Sequence, residues 1–307
     1  MIKIILIAPE FQNLNKVILE ALKKKYQVTF IRDRLSDNSF YKAFVRLKPI
    51  FFSFLYRFYL YHKLKKNDQY DYLFVINGED LTASTIQQIK LKYKIKKSYL
   101  YLWDSLKQKK NAKNIIKKFD FAFSYQNEKD RKLIHLDLFY LSQKQTIANK
   151  FKFFFVGTIY TNREQLVSEI IKNFNIKDNY IYYFFQAKWY YWLKKITGQT
   201  KLNYKKVNFK NLTLSSFLKN LSQSEVIIDI YHFNNKGISQ RGIEALNLNK
   251  KIITNNPELK KYSKNIYLFK QEINQDQLIK FLNQETYKKQ YKGLNIDEWI
   301  NEILSHQ

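Results

Sequence analysis

Short apolar runs alternate along this chain with longer stretches in which apolar residues recur every three or four positions. The run from Ile2 to Pro9 predicts a buried strand. Asn15 to Lys25 predicts a helix with Val17, Ile18, Ala21 and Leu22 on one face. Further strands are predicted at Tyr26 to Arg32, Asp71 to Ile76, Lys97 to Trp103 and Phe119 to Tyr125, with a sixth at Leu136 to Leu141. Gln143 to Lys150 is polar and aperiodic and reads as a linker. The pattern then restarts, with strands at Phe151 to Thr158, Tyr180 to Gln186, Glu225 to His232, Lys251 to Asn256 and Asn265 to Phe269. Between them, helices are predicted at Asn162 to Asn175, Asn211 to Ser222 and Ser239 to Leu248. The end, from Asn274, is helical and polar. Such alternation implies an α/β fold with parallel sheets covered by helices. Two halves of ordinary domain size are expected, 1–148 and 149–285, followed by a helical tail, 286–307. Ligands of such sheets sit at the carboxyl ends of the strands, here expected in the cleft between the halves.

Composition narrows the picture. Of 307 residues, 45% are hydrophobic and 17% aromatic, too apolar for a disordered chain. The absence of Cys excludes disulfides, thiolate zinc sites and cysteine nucleophiles. His62, His135, His232 and His306 are scattered singly, so no metal site is expected. A net charge of +28 raises a nucleic-acid reading. The excess is overwhelmingly Lys and spread along the chain, whereas nucleic-acid readers favour the bidentate Arg fork. The 24 Tyr and 25 Phe fall mainly in strand runs, where burial explains them. No specific nucleic-acid partner is expected, and charge-driven binding stays as an alternative. No run of about 18 apolar residues is free of charge, so no spanning helix is predicted. The opening residues lack a small-residue cleavage site. A cytoplasmic protein is expected, with the inner membrane face as a peripheral site. Tyr41 to Lys66 mixes Lys and Arg with Phe, Tyr and Leu, as an interfacial helix on anionic lipid does, and Pro49 would start or kink it. The alternative is a helix whose apolar face is simply core.

The strongest chemical signal is Gly237 to Asn256, GISQRGIEALNLNKKIITNN. A glycine-containing loop follows a buried strand and feeds a helix carrying Gly242 and Glu244. A helix N-terminus offers free N–H groups and partial positive charge to an anion. Ser239, Gln240 and Arg241 would face phosphates, and Glu244 would accept ribose hydroxyls, as acidic residues do in dinucleotide sites. The competing reading is a surface helix capped by Ser239, with Glu244 merely well placed in its early turns.

This segment resembles the donor site of GT-B glycosyltransferases, in which a Gly-rich loop and a Glu-bearing helix precede a Lys-led strand ending in Asn. Other pieces resemble a narrower bacterial group that builds lipopolysaccharide or capsule. They are Asn77-Gly78-Glu79, Tyr101-Leu102-Trp103-Asp104-Ser105, Phe119-Asp120, Phe154 to Thr158 with Arg163, and Asp229-Ile230. The chain departs from that pattern at Asn77, where the group has Lys, and in the Gly237 to Arg241 run, which is more polar. The resemblance implies two Rossmann-like domains facing a cleft, and transfer of a sugar from a nucleotide sugar to a cell-surface glycan. No metal or cofactor is implied beyond the donor itself.

For the diphosphate leaving group, the implied residues are Arg241 and the amides around Ser239 to Gly242. Gly157, Thr158, Arg163 and Lys188 would help. Gly157 lets the backbone approach a phosphate, or else serves a plain turn. For a general base in an inverting reaction, the candidates are Asp104, then Glu79, then Glu10, each just beyond a strand of the first half. Asp104 could equally cap a helix, and Glu79-Asp80 likewise. Trp103 would wall an acceptor sugar. His232, at a strand end, would touch phosphate or acceptor, or be structural. The rivals are a basic nucleic-acid-binding protein, a sugar-nucleotide epimerase or non-catalytic relative of the same fold, and a membrane scaffold.

Overall fold

The computed structural model describes residues 1–10, 14–36, 41, 49–65, 68–107, 112–127, 130–143, 147–159, 162–174, 178–231, 237–288 and 291–306, with backbone only for 49–52. The chain forms two compact units. One comprises Met1–Asp137 with Leu294–Gln307, the other Leu138–Gly293.

The first unit runs β1 (Lys3–Ala8), α1 (Leu14–Lys23), β2 (Gln27–Arg32), α2 (Pro49–Lys63), β3 (Tyr72–Ile76), α3 (Ala83–Lys92), β4 (Lys97–Leu102), α4 (Ala112–Ile116), β5 (Phe121–Ser124) and β6 (Leu133–His135). The six strands are parallel in the order β2-β1-β3-β4-β5-β6, with Ile5 paired to Thr29 on one side and Leu73 on the other. β1 is fully apolar from Ile4 to Ala8 because both faces of a parallel sheet are covered. On one face, Ile5, Val75 and Leu100 pack with Tyr56 and Leu60 of α2 and Ile86 and Ile89 of α3. On the other lies the chain's last helix, α10 (Ile296–Ser305), opened by an Asn295–Glu298 capping box. Its Trp299 is fully buried, with ring centroids 4.7 Å from Tyr101 and 6.1 Å from Phe74. Tyr99 donates to the Leu304 carbonyl at 3.2 Å.

The second unit runs β7 (Phe151–Thr158), α5 (Arg163–Lys172), β8 (Tyr180–Phe184), α6 (Lys188–Ile196), β9 (Val207–Asn208), α7 (Leu214–Ser222), β10 (Ser224–Asp229), α8 (Gln240–Asn247), β11 (Lys251–Thr254), β12 (Ile266–Leu268) and α9 (Gln275–Asn283). Its strands are also parallel, in the order β12-β11-β10-β7-β8-β9. Phe153 and Phe155 of β7 face one core layer and Phe154 the other, the two-residue period of a strand buried on both sides.

Several sequence expectations shift. The sixth strand lies at Leu133–His135, ahead of Leu136 to Leu141. The Leu136 amide still reaches Ser124 O at 3.0 Å, but further along, the Leu141 and Ser142 amides are taken by Glu244 at 2.9 Å. The division into 1–148, 149–285 and a tail differs from the compact units chiefly at the C-terminus. There the α10 side chains Trp299, Ile300, Ile303 and Leu304 are buried, so the helix is part of the first unit's core. α2 buries Tyr56, Leu60 and Leu64, and Tyr56 donates to Arg32 O at 2.6 Å, so this face of the 41–66 segment is core. Phe54 and Phe58 are 60% and 74% exposed on its outer side. Residues 42–48 and 66 lie outside the described residues. Among the described residues, no helix is long and apolar enough to cross a membrane.

Candidate functional site

In an open parallel sheet, ligands bind beyond the carboxyl ends of the strands, where the direction of strand addition reverses. In the second unit the chain leaves β7 for β8 and β9 on one side, then returns to add β10, β11 and β12 on the other. The reversal therefore lies between β7 and β10. Gly157 and Thr158 end β7, Asp229 ends β10, and α8 begins after the following loop. Gly157 and Thr158 thus gather with the α8 residues at the carboxyl end of this sheet.

Ser239 is the N-cap of α8. Its Oγ accepts from Gly242 N at 3.1 Å and donates to Asp229 Oδ1 at 2.7 Å. The Gln240 and Arg241 amides open the helix at its positive end. Arg241 is turned inward. Its Nη2 and Nε meet Asp229 Oδ1 at 2.7 and 3.1 Å, Nη1 donates to Val156 O, and the guanidinium lies over the Phe155 ring. Gly157 makes room for it, since a Cβ there would stand 3.3 Å from Arg241 Nη1. Gly242 has the same kind of reason, because a Cβ would meet Ile238 at 2.9 Å and Asp229 Oδ2 at 3.0 Å. Arg163 starts α5 and donates to Thr158 O at 3.1 Å, which holds its guanidinium by the end of β7. Lys188 opens α6, beyond the neighbouring strand β8, and is exposed.

Glu244 is fully buried. Oε1 accepts from Leu141 N at 2.9 Å and from Gln240 Nε2 at 2.7 Å, while Oε2 accepts from Ser142 N at 2.9 Å. Burial pushes its carboxyl above the usual range, and hydrogen bonds from Ser142, Leu141 and Gln240 pull the other way. In this conformation both oxygens hold the 141–142 segment. One turn on, Asn247 donates to Ser142 O and Oγ at 2.8 and 2.9 Å. Gln240 Nε2 also reaches Phe139 O at 3.0 Å. Just after β11, Asn256 Nδ2 donates to Gly237 O at 3.0 Å, and the β11 end is tied to that of β10 by Thr254 Oγ1, which donates to Asp229 O at 2.7 Å. His232 lies outside the described residues.

In the first unit the equivalent reversal lies between β1 and β3. Glu10 follows β1 and pairs with Arg32 at 2.8 Å, and Glu79 follows β3 and pairs with Arg34 at 2.9 Å. Asp104, beyond β4, accepts from Asn77 Nδ2 at 3.1 Å, while Asn77 Oδ1 accepts from Trp103 N at 2.8 Å. Asn77 and Gly78 have φ of 59° and 67°, a left-handed turn that Asn and Gly tolerate best. The three carboxylates thus lie at one edge but are held by three different partners.

The sequence reading left out Asp33 and gave Asp80 only a capping role beside Glu79. Asp33 is fully buried and pairs with Arg34 at 3.0 Å. Asp80 is buried, accepts from Tyr41 Oη at 2.5 Å, and is pushed above the usual carboxylate range by burial. Their signal was an acid shortly past a strand end, Asp33 directly after β2 and Asp80 in the turn after β3, which also reads as a helix cap. Among the described residues, no group of three or more His, Asp or Glu side chains is arranged to hold a metal ion.

No protein-family model and no curated protein matches the chain. Solved structures do. The UDP-GlcNAc 2-epimerase of Methanocaldococcus jannaschii, solved with UDP-GlcNAc and UDP, superposes with a TM-score of 0.56 at 15% identity, covering 100% of both chains. AviGT4, a glycosyltransferase of avilamycin A biosynthesis, gives 0.52 at 8% identity over 99% of this chain and 93% of its own. The lipopolysaccharide outer core galactosyltransferase WaaB gives 0.50 at 11% identity over 99% of each chain. These likenesses show the fold, two Rossmann-like α/β units of the GT-B class.

Proposed function

We propose that this protein is a glycosyltransferase that moves a sugar from a nucleotide-sugar donor to a hydroxyl of a cell-surface glycan, of the lipopolysaccharide or capsule kind. The observation that carries this reading is the strand reversal between β7 and β10, where the bare Gly157, the Thr158 end of β7 and the α8 N-terminus share one edge. The donor diphosphate is read at that edge, against the Gln240 and Arg241 amides, with Arg163 and Lys188 as outer cations. Arg241 and Glu244 serve first as builders. The Arg241–Asp229 pair fixes α8 against β10, and Glu244 fixes the 139–142 segment beside it. Either side chain reaches a donor only by exchanging these partners. The neighbouring structures with UDP-GlcNAc and UDP support a donor of the nucleotide-sugar kind on this fold.

Asp104 is the proposed base of an inverting transfer. Its carboxylate lies beyond the end of β4 and accepts from the Asn77 amide at 3.1 Å. Asp104 would take the acceptor O–H proton. The acceptor oxygen then bonds to the anomeric carbon as the bond to the diphosphate breaks, and the electron pair leaves with the nucleoside diphosphate. Leaving-group charge is met by the helix dipole and side-chain cations, without a metal or added cofactor. Residues 41–66 belong to the proposal as a contact with anionic membrane, through Phe54 and Phe58 on the outer side of α2.

The test is a thermal-shift and saturation-transfer NMR screen against UDP, GDP, CMP, ADP and dTDP and their sugars. A selective response to one nucleotide, weakened in Arg163→Gln, is expected. No response to any of them, together with salt-sensitive RNA or DNA binding, would sink the reading in favour of a charge-driven one. A second reading, sugar-nucleotide epimerisation, draws on the epimerase neighbours. Epimer formation from UDP-GlcNAc without acceptor would establish it; nucleoside diphosphate release only with a glycan acceptor establishes transfer.

A further inference from the structure

Helix α6, KWYYWLKKI, is built the wrong way round for a helix that only covers a sheet. Its buried positions are Tyr191 and Lys194. Its outward stripe is Trp189, Trp192, Leu193 and Ile196, exposed by 48%, 50%, 50% and 83%. Their spacing of three and four places all four within about one third of the helix circumference. Tyr204 extends the patch, with its ring stacked on Trp192 at 5.8 Å and 19°. The display is braced from beneath. Tyr191 donates to Leu202 O at 2.9 Å, and Lys195 Nζ donates to the same carbonyl at 3.1 Å. Glu164 holds the following loop through Thr200 and through Lys201 N.

Charge identifies what covers the stripe. Between Asp178 and Glu225 the chain has no acidic residue and eight lysines. Lys188 and Lys195 flank the stripe on one side, and Lys205 and Lys206 are exposed next to Tyr204. We propose that this α6 face is a docking surface for an anionic lipid bilayer, with the helix lying in the interface. Trp and Tyr favour the headgroup level, Leu and Ile the acyl boundary beneath it, and the lysines meet lipid phosphates. A helix of nine residues lies on a bilayer and does not cross it. A second copy fits worse, because a two-fold contact sets lysines against lysines. A nucleic acid leaves Leu193 and Ile196 without a role. The inference is independent of the donor-site reading and of the α2 contact.

The test is co-sedimentation with vesicles of phosphatidylcholine and phosphatidylglycerol, against pure phosphatidylcholine, at low and high salt. The parent protein is expected to bind the anionic vesicles, with tryptophan emission shifted to the blue. Leu193→Ser/Ile196→Ser should partition at least about tenfold more weakly, since both lose apolar burial. Lys205→Gln/Lys206→Gln should weaken binding mainly at low salt. Unchanged melting temperature and nucleotide response in both variants show that the fold and donor site persist. The proposal is overturned if the parent ignores anionic vesicles. It is equally overturned if Leu193→Ser/Ile196→Ser binds like the parent while Phe54→Ser/Phe58→Ser does not. Dimerisation or RNA binding through these residues, without lipid binding, also overturns it.

Discussion

Arg241 reads in sequence as a phosphate ligand, yet its guanidinium is buried against Asp229, with side chains 8% and 0% exposed. A buried ion pair is costly to break from one side, because the remaining charge stays desolvated. Arg241→Ala should therefore lower unfolding free energy by about 3–5 kcal/mol in denaturant titration. Adding Asp229→Ala should recover part of that loss, a coupling that a double-mutant cycle measures. If Arg241→Ala instead kept full stability and lost only nucleotide binding, the inward pairing would be refuted. At Asp104 the expectation is kinetic. Asp104→Asn should lower kcat with little change in donor KM, whereas Arg163→Gln should raise donor KM. Glu10 and Glu79 are each paired with an arginine.

Elements join through a few polar latches at strand ends. Ser239 caps α8 and bridges to Asp229, so Ser239→Ala should cost about 1–2 kcal/mol, near the top of the usual cap range. Asp71, just ahead of β3, accepts from Lys96 Nζ at 2.6 Å and from Lys3 N at 2.8 Å. These contacts hold its carboxyl below the usual range, the Lys96 hydrogen bond most of all. A depressed carboxyl contributes stability above its unfolded value and loses it as pH falls through the folded value. Asp71→Asn should accordingly flatten the acid limb of the stability–pH curve, read as melting temperature between neutral and acid pH. The strands were legible because apolar runs covered on both faces have no other soluble place. Helices α3 and α6 were not. α3 buries only Thr85, Ile86 and Ile89, an inward stripe too short to stand out in the sequence, and α6 turns its apolar stripe outward.

At the scale of the whole molecule, each unit closes one six-stranded sheet, and the first depends on residues from the chain's end. Trp299 fills the layer over Phe74 and Tyr101, so Trp299→Ala should destabilise by about 3–5 kcal/mol in denaturant titration. Deleting residues 294–307 should leave the first sheet's second face open and the protein aggregating, as seen by light scattering. Equal solubility and melting behaviour after that deletion would show that α10 is dispensable.

The chain's own pattern determined the α/β class, the two parallel sheets, nearly all strands and the glycine-led α8 segment. Those features follow from local burial period and turn chemistry, which neighbouring residues encode by themselves. Tertiary structure decided where the apolar and charged groups went. It returned α10 to the first sheet, turned Arg241 inward to Asp229, set Glu244 on the 141–142 amides, and left the α6 tryptophans outside. Each of these choices depends on a partner many positions away, such as Asp229 for Arg241 or Tyr101 for Trp299, and a local period carries no record of such a partner.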